Sequence, residues 1–191
     1  MRKIVFDIET KNFFSDVGGN DPALLDLALV AIYDSGTDSY HSFLENELAR
    51  LWPFLERADM LVGFNSDHFD IPVLNKYYSG DLSKIKSLDI LKEIKNSYGR
   101  RMRLDQLAEG TLGKNKSGGG ADAINWWRAG DIERVRSYCL DDVKLTKELY
   151  EYALKNKKLL FKEGGALNEV KLDVSKWEEP NGHKLTFSLP F

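Results

Sequence analysis

The stretch 131–157 carries the strongest helical periodicity in the 191-residue sequence, and its apolar face has a carboxylate at its centre. With Asp142 set at 0° and 100° added per residue, Val135 falls at about +20°, Tyr138 at about −40° and Thr146 at about +40°. On the same wheel Leu149 lies at about −20° and Ala153 at about +20°, while Asp141 turns about 100° away toward the edge. Asp142 is therefore central to the face that packs inward. An ionised carboxylate in such a face is costly unless something positive meets it. Tyr138 stands one turn earlier, so its hydroxyl reaches the same spot. Cys139, at about +60°, reads as a small core residue.

The rest of the chain alternates strand and helix patterns. Residues 3–9 (KIVFDIE) predict a buried first strand, and 11–26 a polar loop with a turn at Gly18-Gly19-Asn20. Strands are expected at 27–33 and 39–44, joined as antiparallel neighbours through Asp34-Ser35-Gly36-Thr37-Asp38. Residues 47–58 predict a helix with Leu48, Leu51 and Leu55 on one face, and 60–64 a short apolar strand that stops at Asn65. A helix over 71–78 is expected to carry Asp70 at its cap and Pro72 in its first turn. A fifth strand over 85–90 and helical stretches over 90–97 and 103–112 lead into a glycine- and lysine-rich loop, 113–120. In the tail, Val170, Leu172 and Val174, then Leu185, Phe187, Leu189 and Phe191, alternate with period two and predict a hairpin or edge strands. Interleaved elements of this kind indicate an α/β fold, a mixed central sheet flanked by helices, with a small C-terminal β extension.

Composition bounds the function. The chain is long enough for one domain with its own core, and 42% hydrophobic with 12% aromatic residues excludes wholesale disorder. No apolar run approaches the roughly 18 residues that span a bilayer, and the start MRKIVFDIET meets charges too early for a signal peptide. One cysteine excludes an internal disulfide framework, and three scattered histidines make a zinc cluster a poor fit. The expectation is a soluble protein of a reducing compartment, the cytoplasm, with no membrane partner. A net charge of −3 argues against coating nucleic acid by bulk charge, but not against a local site.

Two further acidic motifs join Asp142. Asp7 and Glu9 lie two apart at a strand end, so both point to one face. Paired carboxylates beside an apolar run repel each other, and a divalent cation relieves this; hard oxygen ligands select Mg²⁺ or Mn²⁺. The ordinary alternative is a polar strand end in water. Residues 63–70 (GFNSDHFD) then take a buried strand into a polar turn and a helix start, where α/β folds place ligand groups. Taken alone, Asp70 reads as a helix cap and His68 as an incidental loop residue.

In this order, Phe6-Asp7-Ile8-Glu9-Thr10, Gly63-Phe64-Asn65 through Phe69-Asp70, and Tyr138 with Asp142 resemble the DnaQ-like, or DEDD, 3′→5′ exonucleases of the ribonuclease H-like superfamily. The match is to the tyrosine subgroup, which includes the proofreading domains of family B DNA polymerases. The histidine subgroup's position holds Ser137 here. The resemblance spans residues 1–158, an exonuclease domain, and leaves 159–191 as an extension. It implies a two-metal hydrolysis of the terminal phosphodiester of single-stranded DNA or RNA with a free 3′ end, releasing nucleoside 5′-monophosphates. It further implies metal ligands at Asp7, Glu9, Asp70 and Asp142, with Tyr138 orienting the attacking water. Thr10, Asn65 and Phe69 match positions that hold the terminal nucleotide.

For the approaching strand, residues 92–116 carry seven basic side chains against three acidic ones. Arg100, Arg101, Arg103, Lys114 and Lys116 are the candidate phosphate contacts, against the alternative of a solvated helical surface. Trp126 and Trp127 offer a stacking platform or, the favoured assignment, core. A polymerase, helicase or sliding clamp is a candidate partner, although Ser188-Leu189-Pro190-Phe191 lacks the glutamine that opens clamp-binding peptides. Two rival functions stay open: an endonuclease on the same fold, and a nucleic-acid-binding module without catalysis.

Overall fold

Period-two patterning in the first strands builds the frame. In the computed structural model, which describes residues 1–114 and 118–180, the order is β1 (Lys3–Thr10), α1 (Phe14–Val17), β2 (Leu27–Asp34), β3 (Ser39–Leu44), α2 (Leu48–Glu56), β4 (Met60–Gly63), α3 (Asp70–Asn75) and β5 (Ser87–Asp89). Next come α4 (Ile90–Tyr98), α5 (Leu104–Leu107) running into a π-helical turn (Ala108–Leu112), α6 (Gly120–Arg128), α7 (Ile132–Asn156), β6 (Lys158–Glu163) and β7 (Ala166–Lys171). The first five strands form one mixed sheet in the order β3-β2-β1-β4-β5. The β2–β3 hairpin turns through Asp34–Asp38 as expected, with Asp34 opposite Ser39.

Alternate residues of the central strands feed two separate cores. Val5, Leu29, Ala31, Met60 and Val62 pack on the side covered by α7. Ile4, Phe6, Ile8, Val30, Ile32 and Leu61 face the other side, against Leu51 and Leu55 of α2 and Val73 and Leu74 of α3. By the same alternation Asp7 and Glu9 belong to the face of Val5, toward α7.

Strand register opens a cleft. β1 pairs in parallel with β4 only from Lys3–Met60 to Val5–Val62. Its antiparallel pairing with β2 continues to Thr10, with a register shift between Glu9 and Thr10. Beyond Val5 the two parallel strands separate, and the carboxyl end of β1 stands beside the β4–α3 connection. Such a divergence beside the C-terminal ends of strands is where α/β sheets hold ligands.

α7 is capped by Lys157, whose left-handed φ of 56° turns the chain directly into β6. β6 and β7 form a separate antiparallel sheet; of the predicted Val170, Leu172 and Val174 alternation only Val170 lies in a strand, since β7 ends at Lys171. Leu159, Phe161, Val170, Leu172 and Trp177 extend the α7-side core. The Thr111 hydroxyl donates to the Leu160 carbonyl and accepts its N–H, both at 2.8 Å, which docks the π-helical turn on β6. Lys116 and the alternation of Leu185 to Phe191 lie outside the described residues. No helix among the described residues is long and apolar enough to cross a membrane.

Candidate active site

Three elements bring the predicted carboxylates together. Asp7 and Glu9 come from the part of β1 that runs past β4, Asp70 from the start of α3, and Asp142 from the middle of α7. All four line one pocket of about 380 Å³, together with Thr10, Asn65, Phe69 and Tyr138. Glu9, Asp70 and Asp142 are nearly inaccessible, at 7%, 4% and 3% exposure. The helical wheel holds as well, since Val135, Tyr138, Asp142, Thr146, Leu149 and Ala153 are all buried. Asp141, on the edge, pairs with Lys144 at 2.9 Å.

Asp70 corrects one expectation. It opens α3 rather than capping it, and its Oδ1 accepts the Ile8 N–H at 3.2 Å. The reason is the strand divergence: Ile8 lies past the last β1–β4 pair, so its N–H takes a side-chain acceptor instead. Burial, then the charges of Asp7 and Asp89, hold the Asp70 carboxyl well above the usual carboxylate range. The Tyr138 hydroxyl is pushed upward by burial, then by Asp142, Glu9 and Asp7. It therefore stays protonated. Cys139 is fully buried, and its thiol donates to the Asp7 carbonyl and Oδ2, both at 3.3 Å. The small core residue thus also orients the first carboxylate.

The turn that carries Asn65 is held from behind. Asn65 has a left-handed φ of 67°, a conformation that asparagine tolerates better than most residues. A Cβ on Gly63 would collide with Ser66, so the turn folds tightly on the strand end. Asp89, at the end of β5, accepts the N–H groups of Asn65 at 2.8 Å and Asp67 at 3.2 Å while capping α4 through Leu91 at 3.0 Å. This buried Asp was not among the predicted site residues. Its signal is an acid between an apolar strand and a helix start, the usual N-cap pattern.

The remaining walls were also unanticipated. Asn12, Phe13, Phe14, Gly120 and Ile124 are among the further lining residues. Phe14 and Phe69 meet edge to face with centroids 6.2 Å apart. Both also pack on the core that faces α2 and α3. The segment that carries Phe13 and Phe14 is braced to α6: Arg128 bonds Asp16 at 2.6 Å and lies 5.0 Å from the Phe13 ring. Trp126 and Trp127 are partly buried against the α7-side core.

Among the described residues, the basic candidates Arg100, Arg101, Arg103 and Lys114 lie off the pocket, each with a partner. Arg100 makes a two-bond pair with Glu163 at 2.8 and 2.7 Å and packs 5.4 Å from the Phe161 ring. Arg103 pairs with Asp105 and Lys114 with Glu148. Arg101 differs: it donates to Oδ1 of Asn65 at 2.6 Å, a neutral partner on the pocket rim.

Four carboxylates around one pocket form a set of hard oxygen donors, the kind that suits Mg²⁺ or Mn²⁺. Asp7 and Glu9 each place an oxygen within 4.8 Å of the other and of the Cys139 sulfur. The donor chemistry fits a divalent ion.

Comparison with known proteins agrees with this architecture. The model of the RNase H superfamily matches residues 4–154. The family B DNA polymerase from the hyperthermophilic archaeon Pyrobaculum calidifontis is similar in fold, with a TM-score of 0.62 at 21% identity over 81% of this chain. The match covers 24% of that polymerase, so the chain spans about a quarter of its length. A comparison with curated proteins finds no match. With the family model covering most of its length, the chain belongs to the RNase H superfamily.

Proposed function

We propose that the protein is a divalent-metal-dependent 3′→5′ exonuclease that removes nucleoside 5′-monophosphates from single-stranded ends. The observation that carries this reading is the convergence of Asp7, Glu9, Asp70 and Asp142 with Tyr138 on one pocket at the divergence of β1 from β4. Membership in the RNase H superfamily and likeness in fold to a polymerase support it.

In this reading the four carboxylates hold two ions, Mg²⁺ or Mn²⁺. When bound, the ions supply an activated water and neutralise charge on the entering and leaving oxygens. The chain's own residues do the positioning. Tyr138, protonated and buried, offers its hydroxyl to the attacking water beside Asp142. Phe69, edge to face with Phe14, forms an aromatic wall against which a terminal base stacks. Asn65, presented by its left-handed turn, and Thr10 supply polar contacts to the terminal sugar and phosphate. At about 380 Å³ the pocket lies in the range of small-ligand sites, about 300–1,000 Å³, and suits one nucleotide rather than a duplex.

A 5′-labelled single strand incubated with Mg²⁺ or Mn²⁺ tests the proposal. A stepwise ladder that vanishes with EDTA and in Asp7→Ala is the expected result; full activity in Asp7→Ala contradicts the site. Matched DNA and RNA strands then decide the substrate, since discrimination depends on room for a 2′-hydroxyl.

A further inference from the structure

α6 contributes more than pocket wall. Trp126 sets its ring 5.6 Å from that of Tyr138 at an interplanar angle of 75°, an edge-to-face contact. Arg134 lays its guanidinium carbon 4.1 Å from the Trp126 ring centroid. Arg134 and Tyr138 stand one helical turn apart, so both project from the same side of α7 and grip the indole between them. The loop entering α6 closes the far end: a Cβ on Gly118 would stand 2.9 Å from Cη2 of Trp126. Trp126 is not among the residues lining the pocket, and one of its faces is under Arg134. Its place is against Tyr138, not against a nucleobase.

The helix backbone fixes where Tyr138 begins, but the direction of its ring depends on what packs against it. Edge-to-face contacts are directional, and misplacement of a reacting group by about 1 Å costs on the order of 100-fold in rate. The geometry points to Trp126 as a positioning residue that aims the Tyr138 hydroxyl into the carboxylate pocket, with Arg134 and Gly118 holding the indole in place. The inference rests on the proposed role of Tyr138 in orienting water.

A double-mutant cycle tests it, using Trp126→Leu, Trp126→Phe, Tyr138→Phe and the Trp126→Leu/Tyr138→Phe pair on a single-stranded oligonucleotide. Trp126→Leu lowers kcat about tenfold at unchanged KM, and Trp126→Phe recovers most of the loss because a ring edge is restored. In the Tyr138→Phe background Trp126→Leu has no further effect. Losses that multiply, or a raised KM with normal kcat, overturn the inference. A Tyr138→Phe enzyme of full activity instead contradicts the proposed role of the tyrosine. A readout without turnover keeps the two apart. In protein carrying ring-¹³C tyrosine, the Tyr138 signals, assigned by their loss in Tyr138→Phe, shift in Trp126→Leu; unshifted signals overturn the inference whatever the activity. Should Trp126→Leu fail to fold, Trp126→Phe and Gly118→Ala, which displaces the indole from the loop side, carry the same comparison.

Discussion

The Asp70 carboxylate accepts the backbone N–H of Ile8, the residue between Asp7 and Glu9, at 3.2 Å. A side chain from the start of α3 is thereby tied to the strand segment that presents Asp7 and Glu9. The bond exists because β1 outruns β4, and it forces negative charge inward to a place where burial and Asp7 oppose it.

Divalent ions should relieve that opposition in the folded state alone. Mn²⁺ at about 100 times its dissociation constant adds about 2.7 kcal/mol, which is a rise of roughly 5–10 °C in Tm for a chain of this length. Thermal melts with and without Mn²⁺ measure it. Asp7→Asn is expected to lose most of the rise; an equal rise in that variant would place the ions elsewhere.

Asp34 makes a different kind of buried pair, with opposite pH behaviour. Its carboxylate, wholly buried, accepts two bonds from Arg2 at 2.9 and 2.7 Å and further bonds from Gly36 and Thr37. The Arg2 bond foremost holds its pKa below the usual carboxylate range. A lowered folded-state pKa stabilises above about pH 4, and the contribution fades as pH falls through the lowered value. Asp34→Asn therefore costs about 1–3 kcal/mol at neutral pH, and the gap from wild type narrows on acidification below about pH 4. Urea melts at several pH values check the sign; a gap that widens in acid runs against it.

Arg100 and Arg101 are neighbours with contrasting roles. Arg100 is neutralised by Glu163 and packed on Phe161, whereas Arg101 keeps its full charge against the neutral Asn65 amide. Arg101→Ala is expected to raise KM for single strands roughly tenfold and to reduce the salt slope of binding by about one. Arg100→Ala leaves both within about twofold, because its charge is already balanced. Equal effects would mean that the Glu163 pair opens to receive phosphate.

The left-handed Asn65 backbone separates turn geometry from side-chain chemistry. Asn65→Gly keeps or slightly raises stability while lowering activity, whereas Asn65→Val costs about 1–2 kcal/mol through steric strain. Denaturant midpoints for the two variants decide this; an unaffected Asn65→Val would deny the strained turn.

Strong local periodicity makes an element legible in the amino-acid sequence itself. The apolar face of α7 placed Asp142 and Tyr138 inward, and the two-residue step of β1 put Asp7 and Glu9 on one face. The β2–β3 hairpin followed from its turn residues. What escaped depends on distant chain segments. Whether Asp70 caps a helix or reaches Ile8 is decided by where β1 and β4 part, a register that only tertiary packing sets. β6 begins directly after Lys157 with no loop to mark it, so the end of the helix hid the start of the strand. α6 follows a glycine-rich loop and starts on Gly120, a poor helix former, while Trp126 further along the helix packs against the α7-side core. The partners of the basic residues, such as Glu163 for Arg100, lie far away in sequence.

Cleavage of matched linear and circular single strands tests the central claim most directly. With Mg²⁺ or Mn²⁺ the wild-type protein is expected to release mononucleotides from the 3′ end of the linear strand and to leave the circle intact. Asp142→Ala should slow that release by at least about 100-fold. Nicking of the circle, or release undiminished in Asp142→Ala, would contradict an exonuclease centred on these carboxylates.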